Sequence, residues 1–138
     1  MGDHMERIDP HVHFRDEHQR HKETIEHGMA LAERHGVYYC FDMPNVATPV
    51  VREADVKRRL QLVPNQYAGR YYLWVGATQS PDQLREAVRL HKEYPQVIGI
   101  KLFAGKSTGD LALVHEEQQR QVYEVLAKEG YTGVLAVH

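Results

Sequence analysis

The sequence predicts an α/β fold of about five parallel strands that alternate with four helices. Three observations predict this fold: short β-rich runs recur along the chain, stretches with helical periodicity lie between them, and the two kinds of segment alternate strictly. Such alternation implies right-handed crossovers and a parallel sheet. The pattern alone fits either an open doubly wound sheet or just over half of an eight-stranded barrel, which typically needs about 250 residues.

The five strands are predicted from short runs rich in β-branched and aromatic residues. They are Arg7–Phe14, Val37–Met43, Tyr71–Ala77, Val97–Phe103 and Gly133–His138. Each run is separated from the next by a helical stretch, so each strand is expected to reach its neighbour through a crossover helix.

The four helices are predicted from apolar residues spaced three or four positions apart. They are Glu23–His35, Glu53–Val63, a segment that begins at Ser80, and roughly Glu116–Glu129. In the first helix, Ile25, Met29 and Ala32 form the apolar stripe, and Gly36 supplies the left-handed stop.

Two of these helices carry more specific local signals. Ser80 is placed as the N-cap of the third helix, Pro81 takes its first position, and Gln83 is placed to complete a capping box. In the second helix, the run from Arg52 to Arg59 carries alternating charges. That run predicts a solvated helix face.

Composition excludes several classes of function. The 138 residues are 42% hydrophobic and 26% charged, with 17 Lys plus Arg against 19 Asp plus Glu. Charges this balanced offer no basic field for a nucleic acid, and the apolar runs are too short to span a bilayer. The single cysteine, Cys40, predicts a small buried residue and fits a reducing, cytoplasmic compartment. The 10 histidines exceed ordinary usage and need an explanation.

Both ends of the chain are unusual. Residues 1–5, with two methionines and His4, resemble a scar left by cloning, so the domain is expected to cover residues 6–138. The last residues, from Gly133 to His138, form an apolar strand with no turn after it. This ending predicts that the sequence is a piece of a longer protein.

The first candidate site is the segment Asp9-Pro10-His11-Val12-His13-Phe14-Arg15. Alternate residues of a strand share a face, so His11 and His13 are expected to point the same way as Asp9 and Arg15, with Ile8, Val12 and Phe14 towards the helices. Two imidazoles at the end of a strand can hold one metal ion. A chance pair in a histidine-rich chain fits the same spacing equally well.

Lys101 is the second candidate because it interrupts the apolar run Val97–Phe103. Ile98, Ile100 and Leu102 share one face of that strand, and Lys101 takes the other. Burial favours the neutral amine, which can add carbon dioxide to become a carbamate able to bridge two cations. A lysine whose tip reaches solvent, or one paired with an acid, is the alternative.

The remaining candidates lie after other strands. His138 ends the fifth strand, and Met43-Pro44-Asn45 follows the second, so both are expected at the same rim as His11 and His13. The Gly-rich loop Ala104–Asp110 is either an ordinary connection or a ligand-contacting loop, and it lacks the phosphate-binding spacing. The other histidines are expected on the surface: His18, His21, His27, His35, His91 and His115.

Taken together, these segments resemble the amidohydrolase superfamily and, within it, the dihydroorotases. The resembling motifs are the run from Asp9 to Asp16, Met43-Pro44-Asn45, the Lys101 segment and Val137-His138. The resemblance extends from about Arg7 to the last residue and implies a partial TIM (β/α)8-type barrel. It favours the barrel over the open sheet.

The resemblance also implies roles for individual residues. His11 and His13 would bind the more buried of two zinc ions, Lys101 as a carbamate would bridge both ions, and His138 would bind the second. Arg15 and Asn45 would hold a substrate carboxylate, and the planar fork of arginine suits that task. The implied reaction is the reversible hydrolysis of dihydroorotate to N-carbamoyl-aspartate in pyrimidine synthesis, with the cations activating water and polarising the ring carbonyl.

The sequence departs from the family's pattern at positions that catalysis needs. The strand-six metal histidine, the strand-eight aspartate that acts as general base and the small β-sandwich of many relatives have no counterpart in these residues. No catalytic base is therefore expected within the chain, and the isolated piece is expected to be inactive. An allantoinase or dihydropyrimidinase is the first alternative. A non-catalytic scaffold beside aspartate carbamoyltransferase is the second, and open sheet edges would favour a homodimer.

Overall fold

The computed structural model of the chain describes residues 5–107 and 109–138. His4 and Thr108 therefore lie outside the described residues, as does most of the segment interpreted as a cloning scar. Among the described residues, no helix is long and apolar enough to cross a membrane.

The five predicted strands are confirmed and form one parallel sheet. They are β1 (Arg7–Val12), β2 (Val37–Asp42), β3 (Tyr71–Gly76), β4 (Val97–Leu102) and β5 (Val134–Val137). Their order in space is the order in sequence, and every neighbouring pair is parallel. In a doubly wound sheet, the spatial order of the strands reverses at a switch point. The strands of this sheet follow the sequence order throughout, as in a barrel, so the fold is a partial barrel.

The four predicted helices are also confirmed, with slightly shorter bounds than the sequence indicates. They are α1 (Ile25–Arg34), α2 (Glu53–Gln61), α3 (Pro81–Glu93) and α4 (Glu116–Lys128). The Thr24 hydroxyl caps α1 by accepting from the His27 amide, and Gly36 after that helix has a φ of 76°. A side-chain N-cap and a left-handed glycine are the features expected at the start and the end of a helix.

The capping box predicted for α3 is only half right. The Ser80 hydroxyl does accept from the Gln83 amide, as an N-cap should. The Gln83 side chain does not reach back to Ser80, because it accepts from Thr78 and donates to the carbonyls of Val51 and Gly76. Gln83 is buried and joins the loop after β3 to the chain that enters α2.

The hydrophobic core lies between the outer face of the sheet and the helices. Its members alternate along the central strands, as in Tyr71, Leu73 and Val75 on β3. The helices contribute the other side, with Ile25 and Met29 from α1 fully buried. The opposite face of each strand therefore remains to line the interior of the partial barrel.

The alternation predicted for β1 is wrong at its start. Ile8 was expected to face the helices but is 54% exposed. Asp9 was expected on the same face of the strand as His11, but it lines a cavity on the helix side with Val12 and Cys40. The pairing of β1 with β2 is irregular between Arg7 and Ile8 and again between Asp9 and Val12. Such bulges shift side chains between faces, and a proline within the strand favours them.

The surface assignment of His91 is also wrong. His91 lies on α3, is half-buried, and packs its ring against Tyr131, with the ring centroids 5.2 Å apart. The sequence gives no sign of this contact because it joins α3 to the entry of β5. Cys40, in contrast, is fully buried as expected, and burial raises the pKa of its thiol to about 11.

Candidate active site at the carboxyl ends of the strands

The two histidines of β1 converge at the end of that strand. His11 Nε2 lies 3.1 Å from His13 Nε2. Burial, followed by the charge of Lys101, lowers the pKa of His11, and burial followed by Arg15 lowers the pKa of His13. Both imidazoles are therefore neutral near pH 7, which is the form that binds metal ions.

Lys101 lies on the inner face of β4 and is only 3% exposed. Its ammonium nitrogen lies 5.5 Å from the centroid of the Phe103 ring. Among the residues that the structure describes, no carboxylate forms an ion pair with Lys101. Because burial removes water without supplying an anion, it lowers the pKa of the Lys101 amine and favours the neutral form.

His138 continues the strand ladder to the last residue. Its amide donates to the Leu102 carbonyl at 3.0 Å, and its carbonyl accepts from the Ala104 amide at 2.9 Å. The imidazole lies against Phe103, with 6.2 Å between ring centroids. His138 lines one cavity together with His11 and His13.

A cavity of about 230 Å³ collects most of the predicted site residues. Its lining includes three histidines, two candidate carboxylate ligands and part of the loop after β4, namely His11, His13, His138, Arg15, Asn45, Phe103, Lys106 and Ser107. Lys101 lies beside this cavity, below Phe103, rather than in its lining. A larger cavity of about 360 Å³ lies at the opposite ends of the strands and involves Glu6, Gly36 and Arg70.

Arg15 and Asn45 are joined to each other and to the loop after β4. Arg15 Nη1 donates to the Asn45 carbonyl at 2.7 Å, and Asn45 Nδ2 donates to the Ser107 hydroxyl at 3.0 Å. The Asn45 side-chain oxygen is buried without a hydrogen-bond partner. A buried acceptor of this kind needs a donor, which a ligand could provide.

The structure also reveals a buried cluster that sequence reasoning missed. Arg59 of α2 is 1% exposed, although the alternating charges predicted a solvated face. Its Nη2 donates to Asp42 Oδ2 at 2.6 Å, and the Tyr71 hydroxyl donates to the same oxygen at 2.7 Å. The Asp42 carboxylate thus lies between two donors beneath the candidate site.

The donor set fits a metal ion, but only with contributions from several strands. Among residues 5–107 and 109–138, no group of three or more His, Cys, Asp or Glu side chains is placed to hold a metal by itself. His11 and His13 supply two nitrogens whose 3.1 Å separation is close to the ~3.3 Å edge expected for two ligands of a tetrahedral zinc ion. Lys101 and His138 are the neighbouring groups that could complete such a set.

Comparison with known proteins identifies the relatives of this chain. A dihydroorotase from Thermococcus kodakarensis is 32% identical over 108 residues, which are 75% of this chain and 24% of that protein. A dihydroorotase from Pyrococcus abyssi is 50% identical over 52 residues, which are 38% of this chain and 13% of that protein. The chain is homologous to one segment of the dihydroorotases. No protein-family model matches it.

The fold of the chain agrees with solved structures. It matches an L-hydantoinase (dihydropyrimidinase) from Arthrobacter aurescens with a TM-score of 0.74 and 20% identity, over 95% of this chain and 28% of that one. It matches a dihydroorotase from Campylobacter jejuni with a TM-score of 0.60 and 17% identity, over 96% of this chain and 36% of that one. The chain thus spans 24% and 13% of these two curated relatives and 28% and 36% of these two structures.

Proposed function

We propose that this chain is the metal-binding segment of a zinc-dependent dihydroorotase, acting in pyrimidine synthesis. The observation that carries the proposal is the meeting of His11, His13 and His138 at one cavity, beside the buried amine of Lys101. Three imidazoles and a desolvated amine have no structural need to gather at the carboxyl ends of parallel strands. They are the groups that a pair of cations requires there.

The proposed ligands fall into two groups. His11 and His13 would hold one zinc ion and His138 the second, and Lys101 would contribute a ligand to both once its amine has added carbon dioxide and released a proton. The lowered pKa of Lys101 favours this addition, because only the neutral amine has the electron pair that forms the new nitrogen–carbon bond. When bound, the ions supply Lewis-acid polarisation of a ring carbonyl.

The proposed substrate is a cyclic amide that carries a carboxylate. Arg15 is half-buried in the cavity, and a guanidinium has five donors, of which its contact with the Asn45 carbonyl uses one. The Asn45 side chain adds a second polar group on the same side of the cavity. An uncharged ring, such as a hydantoin or dihydrouracil, would leave this cationic corner without a partner.

The metal-binding test uses the 138-residue chain reconstituted with zinc in bicarbonate buffer. The proposal predicts bound zinc that depends on bicarbonate, together with a carbamate signal when the bicarbonate is labelled with carbon-13. Lys101→Met should lose the carbamate signal, while His115→Ala, an exposed histidine at the start of α4, should change neither. Zinc binding that is absent, or equal in Lys101→Met, would favour a non-catalytic scaffold.

The substrate test compares ligands in calorimetry with the same reconstituted chain. Dihydroorotate and N-carbamoyl-aspartate should bind more tightly than dihydrouracil, and Arg15→Met should remove that preference. Turnover by the 138 residues alone should be negligible, since the resemblance places the general base outside them. Equal binding of all three ligands would favour an allantoinase or dihydropyrimidinase instead. Association with a second copy or with aspartate carbamoyltransferase is a separate proposal, tested by sedimentation with and without that partner.

A further inference from the structure

We propose that the buried Asp42–Arg59 pair is a positioning device that aims Arg15 into the cavity and so sets the preference for a carboxylate ligand. This inference rests on the proposed function for the role of Arg15. It assigns to Asp42, Arg59 and Tyr71 a role that neither the metal site nor the core explains. None of the three lines the cavity. Asp42 and Arg59 are connected to it through the backbone of Phe14 and Arg15.

The segment that carries Arg15 has an unusual backbone. Arg15, Asp16 and Glu17 have φ angles of 48°, 64° and 50°, so three consecutive residues with side chains adopt the left-handed region. Single residues of this kind are uncommon outside glycine and asparagine, and they persist only where surrounding contacts determine them. A run of three directly after the His11 and His13 pair therefore needs a strong external hold.

The Asp42–Arg59 pair provides this hold from below. The Phe14 amide donates to Asp42 Oδ1 at 3.0 Å, and Arg59 Nη1 donates to the Arg15 carbonyl at 2.5 Å. The His13–Phe14 and Arg15–Asp16 peptide groups are thus held by two side chains that bind each other. Since the direction of the Cα–Cβ bond follows from the backbone, this grip sets the direction in which the Arg15 side chain leaves the main chain.

The device itself is rigid because it is buried and fully paired. Asp42 and Arg59 are each 1% exposed, and Tyr71, also 1% exposed, holds the same carboxylate oxygen as Arg59. Burial alone would lower the pKa of Arg59, but its interactions with Tyr71 and Asp42 outweigh burial and raise that pKa above its usual value. Arg59 therefore stays charged, and both of its terminal nitrogens stay engaged.

The planar fork of Arg59 is what makes the arrangement specific. One terminal nitrogen holds Asp42 while the other holds the Arg15 carbonyl, so the two contacts have a fixed separation. A lysine would keep the charge opposite Asp42, but its single ammonium cannot reproduce both contacts with the same geometry. Arg52, at the start of the same helix, binds Glu86 and forms no hydrogen bond or ion pair with residues 14–17, so it is a matched control.

The first experiment measures ligand preference in the reconstituted 138-residue chain. We expect Arg59→Lys to weaken binding of N-carbamoyl-aspartate about tenfold, the loss typical of a misaligned charge-assisted hydrogen bond, and to leave dihydrouracil binding unchanged. Tyr71→Phe should shift the ratio in the same direction by a smaller factor, and Arg52→Lys should leave it unchanged. A merely structural role would weaken both ligands equally, and that result would overturn the proposal.

The second experiment needs no ligand. Hydrogen exchange of the Phe14 and Asp16 amides should accelerate about tenfold in Arg59→Lys, and less in Tyr71→Phe, while amides of β4 keep their wild-type rates. Unchanged exchange at residues 14–17 in both variants would overturn the positioning role. If Arg15→Met fails to alter ligand preference, the proposed substrate is wrong; if Arg15→Met does alter it but Arg59→Lys and Tyr71→Phe do not, only the positioning inference is wrong.

Discussion

Two buried cations, Arg59 and Lys101, occupy opposite situations in this molecule. Arg59 lies on the helix side of β2 with Asp42 and Tyr71 around it, and its pKa is raised. Lys101 lies on the inner side of β4, has no ion-pair partner among the described residues, and has a lowered pKa. The two side chains are about equally hidden from solvent, at 1% and 3% exposure, so the difference lies in the partners that the fold supplies.

The comparison separates groups that the fold completes from groups that it leaves for a ligand. Burying a charge is costly unless an opposite charge and hydrogen bonds compensate. The Arg59 side has this compensation within the polypeptide, which is what a structural support needs. Lys101 lacks this compensation. The cost of burying its amine arises at the place where the proposed cations and carbon dioxide would remove it.

The largest effect is expected when the Arg59 partner is neutralised. Asp42→Asn leaves the buried Arg59 charge with only its longer contact to Glu17, at 3.3 Å, and should lower the free energy of unfolding by as much as about 3–5 kcal/mol, measured by urea denaturation. The double variant Asp42→Leu with Arg59→Met should recover most of that loss. Arg52→Ala, which removes an exposed pair with Glu86, should cost less than about 1 kcal/mol. Equal losses of unfolding free energy in Asp42→Asn and Arg52→Ala would show that the buried Asp42–Arg59 pair contributes no more than an exposed ion pair.

A smaller loss is expected when the Asp42 carboxylate keeps Arg59 but loses Tyr71. Tyr71→Phe removes a buried donor to a charged oxygen and should cost about 1.5–3 kcal/mol in the same denaturation. Tyr123→Phe on α4 is a control, because its side chain is 44% exposed, and it should be nearly neutral. A neutral Tyr71→Phe would mean that Arg59 alone satisfies Asp42.

The smallest effect, and the opposite sign, is expected at Lys101. In metal-free and carbonate-free buffer near pH 8, Lys101→Met should raise the free energy of unfolding, since the variant no longer buries an amine that is protonated in the unfolded chain. Burial places the folded pKa below the usual 10.5, so the unfolded chain binds the proton more tightly. Wild-type stability relative to Lys101→Met should therefore rise with pH between the folded pKa and 10.5. A difference that does not change with pH would contradict a desolvated amine.

The sequence was sufficient for the elements and for the residues at the strand ends. Period-two and helical patterns located the five strands and the four α-helices, because burial of one face imposes those periods, whereas the short 3-10 helices Glu17–Gln19 and Asn65–Tyr67 were not predicted. Lys101 could be noticed because a charge within an apolar strand is a local anomaly. The early irregularity of β1 could not, since it depends on pairing with β2, although Pro10 was a warning.

The Asp42–Arg59 pair escaped prediction because it is a tertiary property. Arg59 lies among charged neighbours on α2, and only contact with β2 shows that it turns inward. Two signals were available. Asp42 is two residues after the fully buried Cys40, on the same face of the strand, and Arg59 is three residues after the buried Val56. Asp42 thus lies on the buried face of β2 and Arg59 on the buried face of α2. Because these two faces pack against each other, an acid on one and a base on the other would have indicated the pair.

The single tryptophan, Trp74, lies one layer below the candidate site. Its indole nitrogen donates to the Pro10 carbonyl at 3.1 Å, and its ring covers Gly99, where an added Cβ would come within 2.6 Å of the indole. It therefore contacts the residue before His11 and a residue two positions before Lys101. The one indole of the sequence thus contacts β1 and β4, two of the strands that supply proposed ligands, so the wavelength and intensity of its emission should respond to a ligand that binds between them.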